Sequence, residues 1–489
     1  MRRQNVDATS NQGLPSGTGA GKKEVLRMKR SLGLFSGVCL VAGSMIGSGI
    51  FMTPQRMLAH MGSVGGSLSV WAAGGLVSML GALCFAELGA TIPESGGSYT
   101  YLLRNIGPVP AFLYLYLTVF LRRPSSTAAI ALSFAHYVVK PFYPGCQSPE
   151  LVVKSAAIAC VLFILVINCL AVKLATSVMN MFTSAKVAAL LVIVIGGLVM
   201  LANGNDLHFH HAFRGTVTGF GQIGIAFYQG LWSYGGWNNI NAVTEELKRP
   251  EVNLPRALMI AVPLVTCLYI MVNISYFTIM STAEMLASGA VAVSWGSRVL
   301  GSWMWLMPLS VAMSTFGCIN GGFFSGGRLY YVAAREGHLP AILSMIHVRR
   351  LTPSPALIFT AISSIILIIP GNFSSIINYS SFCTWTIYAT TVSSLLYVKI
   401  KRPDIPRPYK VPIIVPILFL IISVYLVLAP VIDSPQIEFL YVFLFALSGI
   451  IVYIPFVHYK LHPEFLQKAT LHLQLLLEVA PTERFQDDK

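Results

Sequence analysis

Two glycine-rich stretches hold the residues whose types and spacing could do chemistry. The first, GSMIGSGIF from Gly43 to Phe51, sets Gly43, Gly47 and Gly49 with two serines inside an apolar run of roughly Leu32 to Leu58. The second, QGLWSYGGWNNIN from Gln229 to Asn241, interrupts another apolar run. Each glycine in a helix interior costs about 1 kcal/mol against alanine, so a helix crossing either stretch is expected to break. In a bilayer an unwound backbone is tolerated only where protein or a cavity covers it, because its N–H and C=O groups otherwise lack partners. Freed N–H groups at the start of a second half-helix suit a carboxylate, and freed carbonyls before it suit a cation. Together these demands describe a zwitterion such as an amino acid. The competing reading is that Gly235 and Gly236 merely let helices approach closely. Two breaks at corresponding positions of two five-helix halves favour instead a site at the midplane between inverted repeats.

The elements that must hold these stretches are membrane helices. Of 489 residues, 55% are hydrophobic and only 11% charged, with apolar runs of membrane-spanning length repeated along the chain, so the expected fold is an all-α polytopic membrane protein of about twelve helices. The expected organisation is a cytosolic tail over 1–31, five-helix repeats over 32–202 and 203–400, two further helices over 401–458, and a cytosolic tail over 459–489 containing an amphipathic helix. The formal net charge of +14 orients the chain rather than serving nucleic acid. Lys248 and Arg249, then Arg335, Arg349 and Arg350, then Lys399 to Lys410 fall on alternate loops, the side of the basic N-terminal tail, while the opposite loops are poor in Lys and Arg. Both termini are therefore expected in the cytosol.

Seven of eight cysteines lie in apolar segments; Cys146 lies in the polar loop PFYPGCQSPE, on the expected outer side. No second loop cysteine is there to pair with it, leaving a disulfide to another polypeptide or a free thiol. The sequons at Asn273, Asn372 and Asn378 fall within spans or hard against them, so little glycosylation is expected. No phosphate loop, metal-ligand spacing or nucleophile motif is present, no cofactor is implied, and His208, His210 and His211 read as a solvated loop.

GSMIGSGIF, FAELGATIPESGGSY, RPSS at Arg123 to Ser126, SYGGWN, NLPRA and AREGHLP together resemble the light subunits of the heteromeric amino-acid transporters, a family of the amino acid, polyamine and organocation superfamily with the leucine-transporter fold. The resemblance runs from about Leu32 to Pro481. GLWSYGGWN, VPLVTCLYIMVNISYFT and HVRRLTPSPA are most similar to the b-zero-plus type, and an aromatic-preferring relative of that branch fits best.

The resemblance implies a substrate-binding set of Met45, Ile46, Gly47, Ser48, Gly49, Trp232, Ser233, Gly235 and Asn239. The carboxylate would meet the N–H groups of Ser48 and Gly49, and the ammonium the carbonyls of Met45, Trp232 and Gly235. Trp232 matches the family's aromatic gate; packing or an interfacial position is its alternative. Where the dibasic-accepting branch has an acid, this chain has Gly235. A cationic side chain would then go unpaired at low dielectric, so neutral amino acids are expected over lysine and arginine, with room beside Gly235, Gly236 and Asn239 for large side chains. Lys186 either snorkels to the inner interface or, as the resemblance implies, substitutes for sodium. The resemblance also implies a single-span type II glycoprotein heavy chain joined through Cys146, a plasma-membrane location and, in epithelia, an apical one.

Arg122 and Arg123 stand mid-span and must face protein or water, with Pro124 expected to kink the helix. Glu245 and Glu246, with Arg335 and Glu336, read as intracellular gate salt bridges rather than acid–base catalysts. Sodium-independent exchange is the expected activity. Its rivals are a proton-coupled symporter of the same fold and a non-transporting sensor or scaffold.

Overall fold

The computed structural model describes residues 32–143, 146–170, 172–204, 209, 211–350, 352–433, 437–461 and 463–480. The expected tail over 1–31, His208 and His210 lie outside them. The broken first passage is α1 (Leu34–Met45) and α2 (Gly49–Met61), inclined at 47° to one another. Only Ile46 to Ser48 are unwound, a shorter gap than the glycine spacing implied. Ser63 caps α3 (Val64–Thr91) by accepting from Gly66 N–H. The short α4 (Ser98–Asn105) then leads into α5 (Pro108–Leu117), a π-helical turn over Thr118–Arg122, and α6 (Arg123–Val139). The irregularity expected at Pro124 is thus a π-turn ending two residues earlier, the kind of bulge that accommodates an extra residue in a helix.

Two long helices follow, α7 (Glu150–Leu170) and α8 (Val172–Ala202). The second broken passage is α9 (Phe220–Ser233) and a 3-10 segment over Trp237–Glu246. Beyond it lie α10 (Pro250–Ile279), two short helices α11 (Thr282–Ala287) and α12 (Val291–Val299), and α13 (Leu306–Arg335). The chain ends with α14 (Ser354–Ile368), α15 (Phe373–Lys401), α16 (Ile414–Asp433), α17 (Ile437–Tyr453) and α18 (Glu464–Leu476), the last being the expected tail helix. A two-residue strand β1 (Ile346–His347) pairs antiparallel with β2 (Val479–Ala480), fastening the C-terminal segment to the α13–α14 loop.

Among the described residues seven helices are long and apolar enough to cross a membrane, and the bent α1–α2 pair makes an eighth. About twelve were expected, and the difference has a physical source. The remaining rods are each interrupted, short or polar: α5–α6 carries the π-turn and two arginines, α9 stops at the break, α14 has 15 residues, and α15 is rich in hydroxyls. Those hydroxyls face protein, since Ser380, Ser381, Thr391 and Ser394 are buried. Interior passages satisfy polar groups against neighbouring helices and need not be as apolar as lipid-facing ones.

The bundle is arranged so that α2 packs on α9, α3 on α10, and α6 on α13. At the end where the chain enters, Leu32 forms a parallel bridge to Leu247, donating to the Glu246 carbonyl and accepting from Lys248 N–H. Asn273 is fully buried, as the glycosylation expectation requires, whereas Asn372 is exposed and caps α15 through Ser375 N–H. Beside the entry end, Glu87 of α3 is completely buried and pairs with Lys399 at 2.8 Å and Arg407 at 3.6 Å, while accepting from Val411 N–H at 2.9 Å. This cluster ties the α15–α16 loop to α3. Removing one member of a buried pair strands the other charge at a cost of about 3–5 kcal/mol. Glu87→Ala is therefore expected to lower the thermal midpoint of the detergent-purified protein markedly, and adding Lys399→Met should recover part of the loss; an unchanged midpoint in Glu87→Ala would contradict the assignment.

Candidate functional site

A helix leaves its last four carbonyls and first four N–H groups without intrahelical partners, and at both breaks the chain supplies partners from far away. In α1 the Lys186 ammonium, buried on α8, donates to the Gly43 carbonyl. The Tyr269 hydroxyl of α10 stands 2.8 Å from the Met45 carbonyl and 3.0 Å from the Ser233 carbonyl, so one group serves the C-terminal ends of both α1 and α9. The Cys318 thiol of α13 lies 3.7 Å from the Ile46 carbonyl. A cation at the negative end of a helix dipole is favourably placed, which accounts for a lysine held at 4% exposure. Lys186 does not snorkel to an interface.

The breaks touch each other twice. A Cβ at Gly49 would fall 2.3 Å from Ser233 Oγ, and one at Gly236 would fall 2.7 Å from the Ser44 carbonyl oxygen. Gly236 also has φ +109°, a conformation other residues rarely adopt. Around these contacts Thr53 donates to the Gly49 carbonyl and bonds Ser233 Oγ at 2.8 Å. Tyr269 is itself held by edge and tilted contacts with Trp71 and Tyr234, whose hydroxyl donates to the Trp71 carbonyl.

The expected site residues distribute as follows. Met45, Ile46, Ser48, Gly49 and Ser233 are buried at the crossing of the two breaks, and Gly47 and Trp232 are half-buried there. Two of the three carbonyls assigned to an ammonium already have a donor: Met45 from Tyr269, and Trp232 from Gly235 N–H at 3.1 Å. The Trp232 carbonyl also accepts from Tyr234 N–H, whereas the Met45 carbonyl keeps one lone pair. Gly235 is exposed, and a Cβ there would meet only the Trp232 carbonyl of its own turn, at 3.1 Å. Asn239 is exposed on the 3-10 segment, its N–H bonded to the Gly236 carbonyl. Cys146 is an exposed free thiol whose carbonyl accepts from Lys140.

Sequence reasoning missed Tyr269, Thr53 and Cys318. A tyrosine in the middle of an apolar passage was the available signal, because a buried phenol needs a partner. Arg123 reaches the Gly322 carbonyl at 3.3 Å and lies over the Tyr330 ring, facing protein as expected. Among the described residues Glu245 forms no ion pair; its carboxylate accepts from Ser95 N–H at 2.9 Å, closing the α3–α4 loop over the 3-10 segment. The Arg335 side chain lies outside the described residues. Nearby, Tyr99 bonds His338 at 2.8 Å, and burial pushes the His338 imidazole below its ordinary range.

The arrangement presents peptide carbonyl and N–H groups ringed by neutral hydroxyls and one thiol; among the described residues no group of metal-ligating side chains occurs. The amino acid permease family model matches residues 32–456. The b(0,+)-type amino acid transporter 1 of Mus musculus is 48% identical over 486 residues, 99% of this chain and 98% of its own length. The human protein of the same name is 49% identical over 458 residues, 93% of this chain and 94% of its length. The Large neutral amino acids transporter small subunit 2 of Mus musculus is 44% identical over 411 residues, 83% and 77% of the two chains. A polytopic helical bundle with its two broken passages face to face, and similarity over almost its whole length to named transporters, make this chain a carrier rather than an enzyme and a member of the amino acid permease family.

Proposed function

We propose that this chain is a sodium-independent exchanger of large neutral, chiefly aromatic, L-amino acids at the plasma membrane, working by alternating access. Its moving parts are inverted repeats over 32–202 and 203–400 with a leucine-transporter-like arrangement, followed by helices 11 and 12 over 401–458. Both termini are cytosolic, and in epithelia the membrane is apical. The observation that carries the reading is Tyr269, whose hydroxyl lies against the carbonyl ends of both broken passages. With the α2 N-terminus packed on Ser233, a site one zwitterion long has N–H groups of Ser48 and Gly49 on one side and carbonyls of Met45, Trp232 and Gly235 on the other. Ile46, Gly47, Ser233 and Asn239 complete its lining, and Trp232 is the gate.

Pairings of α2 with α9, α3 with α10 and α6 with α13 support two repeats related by symmetry. The buried Lys186 ammonium at the Gly43 carbonyl supports a fixed cation in place of sodium. The relatives' names, with their large neutral amino acids and small subunit, support the substrate class and a heavy-chain partner, a single-span type II glycoprotein. Exposed Cys146 is the residue for that link.

Three measurements test this reading. In proteoliposomes loaded with unlabelled leucine, labelled phenylalanine should enter equally with and without sodium, and hardly at all into empty vesicles; uptake into empty vesicles driven by acid outside would establish proton symport instead, and binding without counterflow a sensor. Gly235 has no positive φ and a Cβ there would meet only the Trp232 carbonyl, at 3.1 Å, so Gly235→Asp should fold with a shift of a few tenths of an ångström in that turn and raise arginine exchange relative to phenylalanine roughly tenfold or more, an ion-pair gain of at least about 1.4 kcal/mol; arginine exchanged as fast as phenylalanine by the unsubstituted chain would refute the selectivity argument. Cys146→Ser should abolish the heavier band seen for the membrane complex in non-reducing gels, and a band that persists would place the link elsewhere.

A further inference from the structure

The outer halves of α2 and α6 line a small, partly open cavity of about 30 Å³, bordered among others by Gln55, Arg56, His136, Tyr137 and Ala290. It lies beyond the helix break, toward the loop bearing α11 and α12. Among its lining residues Arg56 is the one charged side chain, set beside the neutral Gln55 and Tyr137 and the imidazole of His136. Arg56 reaches Ser374 at the start of α15 through Nη1, and its guanidinium lies 4.5 Å from the centre of the Phe373 ring. Its Nε is buried without a hydrogen-bond partner. His136 faces the same space from α6, and Lys140 closes the rim, near enough that a Cβ at Gly289 would sit 3.8 Å from its ammonium.

No carboxylate lines the cavity. The acids on neighbouring segments are already engaged: Glu284 on α11 is bound by Arg298 at 2.5 Å and by Ser281, which together hold its carboxyl down at about 2, and Glu150 is paired with Lys154 at 2.7 Å. A half-buried guanidinium beside an imidazole and an ammonium, with no protein anion among them, lacks the counter-charge that would offset its desolvation.

We infer that this cavity binds a small monoanion, a halide or a single carboxylate, on the guanidinium of Arg56 and the imidazole of His136, with the Gln55 amide as a further donor. It differs from the proposed zwitterion site in position and in chemistry, since it has a guanidinium where that site has peptide dipoles. Its outward placement rests on the orientation proposed above. If the carboxylate is the substrate's own, the cavity is where an amino acid pauses before entering between the breaks.

The test separates the two sources and does not depend on transport. For the purified heteromeric complex, the thermal midpoint in sodium chloride is expected to exceed that in sodium gluconate of equal ionic strength by about 2–4 °C, a difference lost in Arg56→Gln and retained in Arg56→Lys. In proteoliposomes, Arg56→Gln is expected to raise the external KM for phenylalanine roughly tenfold with kcat and the internal KM unchanged. A chloride effect alone identifies an inorganic anion, and a KM effect alone identifies the substrate carboxylate; either supports the site. If Arg56→Gln does not assemble, His136→Gln should shrink the chloride-dependent midpoint difference and raise the external KM. Midpoints independent of chloride together with an unaltered external KM would overturn the inference, and failure of exchange with the chloride effect intact would count only against the proposed exchange.

Discussion

Everything in the central region follows from one constraint: peptide groups freed by breaking a helix inside a bilayer must find partners within the protein. The chain meets it with long-range donors rather than local caps. Gly43 and Met45, in the last turn of α1, are served by Lys186 from α8 and Tyr269 from α10. Because Tyr269 also lies 3.0 Å from Ser233, the two carbonyl ends share a single hydroxyl proton. Neither break can move far from the other without giving up that bond, and the steric contacts at Gly49 and Gly236 allow no substitute side chain to take its place. The partly occupied carbonyls that result are polar but not saturated, the condition under which a ligand ammonium can compete for a lone pair without leaving buried groups orphaned in its absence.

How much of this could be read from the sequence depended on whether the signal was local. The breaks were legible because glycines in an apolar run announce their own conformational cost, and the passages because lipid-facing helices must be apolar. Lys186 was legible as a charge in the wrong place, yet its two readings differed only in which way a long side chain points, and sequence spacing does not decide that. Tyr269, Thr53 and the Glu87 cluster were not legible in the same way. Glu87 meets Lys399 and Arg407 across more than three hundred residues, and no periodicity links positions so far apart. The hydropathy of α15 points the same way: its hydroxyls look like a poor span until their burial against neighbours is known.

Adjacent glycines in the second break show why residue type alone underdetermines role. Gly236 is fixed by geometry, since φ of +109° and the closeness of Ser44 leave no room for a side chain. Gly235 is under neither constraint. Its backbone lies outside the positive-φ region, and the space beside it is open except for its own turn. The first glycine therefore serves the fold, and the second is free to serve selectivity. A carboxylate there would sit exposed beside the break; under the proposed exchange, its absence would leave a cationic substrate side chain without a counter-charge, while an aromatic ring would lose nothing. The distinction between a glycine the break needs and one it merely permits is what turns a sequence motif into an argument about which side chains can pass.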